Sequence, residues 1–138
     1  MQINEHVCRA KVYGTGEWVY GYYVRCTDYL YEEGVDLIIP QTATLFPHNE
    51  ISEMRTVDAT TVCRSTGIQD KNGKTIFEHD YVRTQYGRIC EVIWFSSPAH
   101  CGWDLIPVDR LDCSYPDESQ LWSPENLEVC GNAFNEVG

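Results

Sequence analysis

The sequence predicts an all-β protein with only short helical turns, arranged as two β subdomains. Nine Tyr and four Trp are present, and these residue types favour strands. Short runs of alternating apolar and polar residues are separated by Gly, Asn and Pro, and no stretch of about 12 residues keeps a helical period. Because the strands of the second half are short and evenly spaced, as in small barrels, we expect a hairpin subdomain over residues 1–60 and a barrel over residues 61–138.

The first predicted hairpin contains the most aromatic strand of the chain. Its second arm covers residues 17–24, and turn residues 14–16 connect it to a first arm over residues 8–13. Alternate side chains of a strand share one face. The residues expected on that shared face are Trp18, Tyr20, Tyr22 and Val24. With Tyr23 beside them, these aromatic residues form a candidate protein or subunit interface; a platform for single-stranded nucleic acid would need a basic groove, which is missing.

The next segment predicts a second hairpin. Its arms are residues 29–31 and 35–39, on either side of a turn at residues 32–34. Pro40 should end the second arm, because proline cannot donate to a central β-ladder. Residues 41–53 show no clear period, and we interpret them as a loop.

The clearest turn signal lies in TGIQDKNGKTIFEHDYV, residues 66–82. Asn72 and Gly73 favour a type I′ turn, because both central residues of that turn need positive φ. Asp70 should cap the turn by accepting hydrogen bonds from main-chain N–H groups. The turn therefore predicts a hairpin between strands at residues 64–69 and 75–77.

Further strands complete the predicted second half. Their segments are residues 80–85, 88–95, 102–106 and 127–130. The first two should pair around Tyr86 and Gly87, which have turn character. Ser123 and Pro124 predict a single helical turn, with proline at its first position.

The charge balance excludes several classes of partner. The net charge is −11, from 21 acidic and 10 basic residues, which argues against non-specific binding to nucleic acid and against docking on anionic membranes. The simplest interpretation is a solvated acidic surface; the alternative is an acidic decoy of a nucleic-acid-binding host protein. No signal peptide and no apolar run of about 20 residues is seen. We therefore expect a cytoplasmic protein whose seven Cys are mostly buried thiols.

Glu78, His79 and Asp80 form the densest titratable cluster. Two carboxylates beside an imidazole could perform acid–base chemistry. Neighbouring strand residues point to opposite faces, so only Glu78 and Asp80 could converge. The structural alternative is a polar corner whose carboxylates accept hydrogen bonds from turn N–H groups. We favour that alternative and assign no catalytic residue, while an enzyme using Glu78 and Asp80 stays as a second hypothesis.

Histidine and cysteine residues could supply a metal site or a nucleophile. The candidates are His6 with Cys8, and His100 with Cys101, because imidazole and thiolate bind zinc. Paired ligands of the C-x-x-C type are missing, and neither Cys101 nor Cys113 lies at an obvious helix N-terminus that would lower its pKa. We expect neither a metal nor a cofactor.

The segment TGIQDKNGKTIFEHDYV resembles the pattern TGLxDKNGKxIFEGDIV of the YopX family of phage and prophage proteins. Supporting matches are GEWVYGYYV at 16–24, TVDATTV at 56–62, EVIW at 91–94 and NLEVCGNAFNEV at 126–137. The motif residues carried over as structural are Thr66, Gly67, Asp70, Asn72, Gly73, Ile76, Phe77, Glu78 and Asp80. One residue departs from the pattern: His79 stands where the family usually has Gly. Since positive φ is uncommon for residues other than Gly, the backbone at this corner is an open question.

The resemblance implies a mostly β fold whose second half is an SH3-like barrel, and a bacteriophage or prophage origin. It implies no established biochemical activity. Together with the residues above, it leads us to expect a non-enzymatic module for protein interaction or oligomerisation. Its partner would be a second copy of the chain or a host or phage protein, rather than nucleic acid or membrane.

Overall fold

The fold is mostly β, as the sequence predicts. It is seen in a computed structural model that describes residues 6–30, 32–47, 50–99, 101–108 and 124–134. The described residues contain antiparallel sheets and short 3₁₀ turns but no α-helix. The chain divides into two compact units, Met1–Ser65 and Thr66–Gly138. The boundary expected at residue 60 falls inside the 3₁₀ turn Ala59–Thr61.

The first unit is organised around an antiparallel sheet. The strands of this unit are β1 (Cys8–Lys11), β2 (Trp18–Thr27), β3 (Gly34–Pro40), β4 (Leu45–Phe46), β5 (Glu50–Ile51), β6 (Arg55–Thr56) and the start of β7 (Cys63–Gln69). The sheet order in this unit is β6-β3-β2-β1-β7, while β4 and β5 pair only with each other. The predicted pairing of β1 with β2 is confirmed, and Lys11 lies opposite Trp18. The prediction of a loop over residues 41–53 is therefore wrong for β4 and β5, which are strands.

The second hairpin begins earlier than predicted. β2 continues to Thr27, which pairs with Gly34 at the start of β3. The turn therefore includes Tyr29 and Leu30, whose side chains are 95% and 75% exposed, and the prediction of a strand at 29–31 is wrong for these two residues; Tyr31 lies outside the described residues. The strand β2 extends because its ladder with β3 is unbroken. Pro40 ends β3 as predicted.

The core of the first unit lies under the β1–β3 sheet. Ala10, Ile38 and Val57 are buried together, and Val19 is packed against them. Gly21 is also fixed by this packing, because a Cβ atom at that position would lie 2.0 Å from the main-chain oxygen of Ile39. Close strand packing, rather than a turn, therefore requires glycine there.

The second unit contains the rest of β7, from Thr66 onward, and a second sheet. The other elements are β8 (Thr75–Phe77), β9 (Asp80–Arg83), β10 (Ile89–Ser96), β11 (Cys101–Pro107), a 3₁₀ turn (Pro124–Asn126) and β12 (Glu128–Asn132). The sheet order is β11-β10-β9-β12. Among the described residues, β11 and β12 are the edges of this sheet, so it is open and does not show the predicted barrel.

Among the described residues of the second unit, the core is an apolar cluster. Its buried members are Ile76, Val82, Cys90, Val92, Leu105 and Leu127. They come from β8, β9, β10, β11 and the residue before β12, so the core depends on contacts between segments far apart in sequence. In the part of the chain that the structure describes, no helix has the length and apolar character needed to cross a membrane.

Candidate functional site

The central hairpin forms, but its turn differs from the predicted type I′. Gly73 has φ of 80°, whereas Asn72 does not have positive φ. The N–H of Gly73 donates to the oxygen of Asp70 at 3.0 Å, and the N–H of Asp70 donates to the oxygen of Lys74 at 2.7 Å. This pattern matches a three-residue hairpin loop, in which a type I turn is followed by a left-handed glycine. Only one residue then needs positive φ, and Gly supplies it.

The carboxylate of Asp70 is used in main-chain hydrogen bonds. One oxygen accepts from the N–H groups of Asn72 at 2.9 Å and Lys74 at 2.8 Å. The other accepts from the N–H of Val129 in β12 at 2.9 Å. Burial raises the pKa of Asp70, but the hydrogen bonds from Val129, Lys74 and Asn72 and the charge of Lys74 outweigh this effect, so the pKa is lowered. Asp70 thus connects the hairpin to the last strand as an ionised group.

Asp80 and Glu78 lie in different environments at the acidic corner. Asp80 begins β9, is 1% exposed, and accepts a hydrogen bond from the N–H of Phe77 at 2.8 Å. Glu78 is half-buried in the turn before it. The expected strand alternation does not apply here, because residues 78 and 79 form a turn. The buried carboxylate of Asp80 therefore stabilises the main chain of the corner.

His79 adopts the left-handed conformation that the family pattern assigns to glycine. Its φ is 68°. The main chain is held on both sides, because its N–H donates to the oxygen of Val92 at 2.7 Å and its oxygen accepts from the N–H of Ala133 at 2.9 Å. The ring nitrogen Nδ1 lies 2.8 Å from Oε2 of Glu91, and the ring contacts Phe134 edge-to-face at 5.5 Å. Side-chain contacts that glycine could not make thus accompany an uncommon backbone conformation.

The described histidine and cysteine residues form no metal centre. No group of three or more His, Cys, Asp or Glu suited to a metal ion occurs among the described residues; His100 and Cys113 lie outside them. Cys101 and Cys26 are exposed. Burial raises the pKa of the Cys130 thiol, which opposes nucleophilic character.

Burial of the cysteines differs from the expectation. Of those described, Cys63 and Cys90 are buried, and Cys8 and Cys130 are intermediate. Two more are exposed, as noted above, so the expectation of mostly buried thiols is wrong for the described part of the chain.

The four predicted interface aromatics occupy both faces of β2. Trp18, Tyr20 and Tyr22 pair with Lys11, Arg9 and Ile39 on the neighbouring strands and share one face, as predicted. Tyr20 and Tyr22 are 40% and 42% exposed. The guanidinium carbon of Arg9 lies 4.7 Å from the centre of the Trp18 ring, and Nζ of Lys11 lies 5.4 Å from it. Trp18 is thus in contact with cations of its own chain.

Tyr23 lies on the opposite face and belongs to a polar group. Its hydroxyl donates to Asp36, which also accepts from Arg25 at 3.0 Å. The hydrogen bond to Asp36 is the main reason that the pKa of Tyr23 is raised. Tyr23 is therefore separated in chemistry and orientation from the other three aromatics.

An open cleft of about 480 Å³ borders the aromatic strand in the first unit. Trp18, Tyr20 and Pro40 supply its flat apolar walls. The other lining residues are Val12, Glu17, Val19, Gln41, Thr42, Glu53 and Arg55. Its size is within the range of ligand-binding clefts, and we call it the aromatic cleft.

Charged side chains surround the aromatic cleft. Glu17, Glu53 and Arg55 are all exposed, and the hydroxyl of Thr42 donates to Glu53 at 3.4 Å. The sequence indicated Trp18 and Tyr20 as candidates but not these charged residues. Glu53 could not be found from sequence, because it lies in a segment without period and is brought to the cleft only by the fold.

The comparison with protein families agrees with the sequence pattern. A family model described as YopX protein matches residues 9–136. The chain is also similar to a solved structure, the crystal structure of protein EF1440 from Enterococcus faecalis, with 20% identity, a TM-score of 0.44, and coverage of 91% of this chain and 90% of that chain. No curated protein matches significantly.

Proposed function

We propose, since this chain belongs to the YopX family, that it is a non-enzymatic module that works through protein contacts, as a homo-oligomer or with a host or phage protein. One observation carries this proposal: Tyr20 and Tyr22 are exposed side by side on one face of β2, next to the aromatic cleft. Tyrosine is enriched at protein interfaces, because its ring buries a large area while its hydroxyl keeps a polar contact.

The acidic residues of the central motif support a catalytic function less well than the aromatic residues support protein contacts. Asp70 and Asp80 are 6% and 1% exposed and accept main-chain hydrogen bonds. A catalytic carboxylate must instead reach a substrate atom in a cleft. An enzyme using Glu78 and Asp80, or an acidic decoy, is therefore the less favoured alternative.

The proposal also covers the fold of the second unit, the origin of the protein and its compartment. We expect the second unit to belong to the SH3-like barrel folds. We also expect the protein to derive from a phage or prophage and to act in the cytoplasm of the bacterial host.

The test compares the native protein with the double variant Tyr20→Ser/Tyr22→Ser. Light scattering over a wide concentration range measures self-association, and affinity capture followed by mass spectrometry measures partner binding. We expect one of these to be present and to be lost in the double variant. Tyr86→Ser is the matched control, because Tyr86 is 71% exposed in the second unit and should have no effect. A single-chain mass throughout, with no capture that depends on Tyr20 and Tyr22, would refute the proposal.

A further inference from the structure

We propose that Asn72 is a site of spontaneous deamidation, in which the main-chain nitrogen of Gly73 attacks the side-chain amide, and that the product weakens the connection between the central hairpin and β12. This inference goes beyond the proposed function, and it concerns the second unit rather than the aromatic face of the first. It is carried by the glycine that follows Asn72, by the exposure of the loop and by the hydrogen bonds of Asp70.

The reaction needs only the side chain of Asn72, the peptide bond that follows it and water. The nitrogen of Gly73 loses its proton to solvent and forms a bond to Cγ of Asn72, and the amide nitrogen takes up a proton and leaves as ammonia. Water then opens the cyclic succinimide at one of its two carbonyl groups. Opening at the side-chain carbonyl gives aspartate, and opening at the main-chain carbonyl gives isoaspartate. Water is consumed and ammonia is released, with no oxidation or reduction.

The surroundings of Asn72 favour this reaction more than those of the other described asparagines. Gly73 has no Cβ atom beside the attacking nitrogen, and a Cβ placed there would meet no atom within 4 Å, so the succinimide has room to form. The side chain of Asn72 is exposed and accessible to water. By contrast, Asn126 is followed by the buried side chain of Leu127, and Asn132 is 8% exposed and accepts a main-chain hydrogen bond.

The folded hairpin loop restrains the attacking nitrogen. The N–H of Gly73 donates to the main-chain oxygen of Asp70 at 3.0 Å, and the N–H of Asn72 donates to the Asp70 carboxylate at 2.9 Å. The first of these hydrogen bonds must break before attack, because the nitrogen has to lose the proton that it donates. Residues 71–74 are all exposed, so the loop can open locally while the core stays folded. The deamidation rate should therefore depend on how often this loop opens.

The products change the loop whose N–H groups orient the Asp70 carboxylate. Isoaspartate carries the main chain through the former side chain and so lengthens the loop, which should displace the N–H of Lys74 from its position 2.8 Å from Asp70. Aspartate adds a negative charge beside the ionised Asp70, and like charges repel. The same Asp70 carboxylate accepts from the N–H of Val129 in β12 at 2.9 Å. Both products should therefore weaken the attachment of β12 to the hairpin.

The experiment incubates the intact protein in mildly alkaline buffer and follows each asparagine by peptide mapping with mass spectrometry. The same chain unfolded in urea gives the rate without the restraint of the loop. We expect Asn72 to be converted faster than Asn126 and Asn132 in the folded protein, and more slowly than in urea. Conversion of Asn72 at the same rate as the other two, or no conversion at all, would overturn the inference. A folded rate equal to the rate in urea would overturn the restraint by the loop.

The variant Gly73→Ala separates attack by the nitrogen from loosening of the loop. Alanine at φ of 80° strains the loop, so loosening alone would speed conversion, whereas the added Cβ hinders the attack. We expect conversion of Asn72 to become about tenfold slower, which corresponds to about 1.4 kcal/mol in the activation barrier. Gly14→Ala is the matched control, because Gly14 also has positive φ and open space around it, and it should leave the rate unchanged. An unchanged or faster rate in Gly73→Ala would contradict attack by this nitrogen.

Hydrogen exchange tests the consequence for β12. The aspartate and isoaspartate forms are separated by chromatography and compared with the unconverted protein at the N–H of Val129. We expect exchange there to be about tenfold faster, since hydrogen bonds to charged groups are strong enough for their loss to have this effect. The N–H of His79, which donates to Val92 in the same unit, is the internal control and should be unchanged. Unchanged exchange at Val129 in both products would overturn the proposed effect on β12.

Discussion

The left-handed backbone at His79 predicts that glycine is more stable than alanine at this position. At an ordinary negative φ the order is the opposite. We consider two substitutions, His79→Ala and His79→Gly. Both remove the ring, and with it the hydrogen bond to Glu91 and the edge-to-face contact with Phe134. They differ only in the backbone, because alanine keeps the cost of positive φ and glycine does not.

The magnitudes follow from the contacts. The side chains of His79 and Glu91 are 33% and 29% exposed, so their hydrogen bond contributes about 0.5 kcal/mol. The edge-to-face contact between His79 and Phe134 contributes about 1 kcal/mol. His79→Ala should therefore lower the free energy of unfolding by about 1.5 kcal/mol. His79→Gly loses the same contacts but regains about 1 kcal/mol by removing the left-handed cost. We expect the glycine variant to be the more stable of the two by about 1 kcal/mol.

Urea unfolding followed by tryptophan fluorescence measures both free energies. At an ordinary negative φ, glycine would be less stable than alanine by about 0.5–1 kcal/mol. An alanine variant equal to or more stable than the glycine variant would therefore refute the reasoning. His79→Asn is a further control and should fall between the two, because asparagine tolerates the left-handed region better than alanine does.

Two further predictions concern packing and pH. Gly21→Ala should lower the free energy of unfolding by more than about 3 kcal/mol, because its Cβ would lie 2.0 Å from the main-chain oxygen of Ile39. The control Gly14→Ala, with φ of 90° and open space around it, should lower it by only about 1 kcal/mol. Equal shifts of the melting temperature in the two variants would contradict this prediction. Asp70→Asn should cost about 1–3 kcal/mol at pH 7. Since the folded pKa of Asp70 is below the ordinary value of 3.8, its contribution is present above that value and is lost as pH falls through the folded pKa. The stability gap to the native protein should thus be constant near neutral pH and shrink below about pH 4, and urea unfolding that gave a pH-independent gap would contradict the role of the charge.

Local chemistry decided the parts of the fold that were predictable. Gly73 allows a turn at its position because glycine adopts a left-handed backbone at little cost. Pro40 ends a strand because it lacks an N–H. Both the turn and the strand end depend only on residues that are close in sequence. The end of β2 was missed, because the ladder with β3 extended the strand to Thr27, and the sequence around Tyr29 also has strand character.

The candidate site was predictable only in part. The period-two pattern correctly placed Trp18, Tyr20 and Tyr22 on one face. The pattern could not show that Tyr23 would be bound to Asp36, or that Glu53 would line the same cleft as Trp18. These are contacts across the sheet and between distant segments, and periodicity within one strand contains no information about them.

The sequence by itself determined the β class, the main hairpins and the family, because turn chemistry and alternation act over a few residues. Tertiary structure decided how the central motif is used. The N–H of Val129 reaches Asp70 across 59 residues of sequence, and Val92 and Ala133 hold His79 in a conformation that its own preference disfavours. Buried main-chain groups must find partners wherever the fold provides them, and only the assembled sheets place those partners.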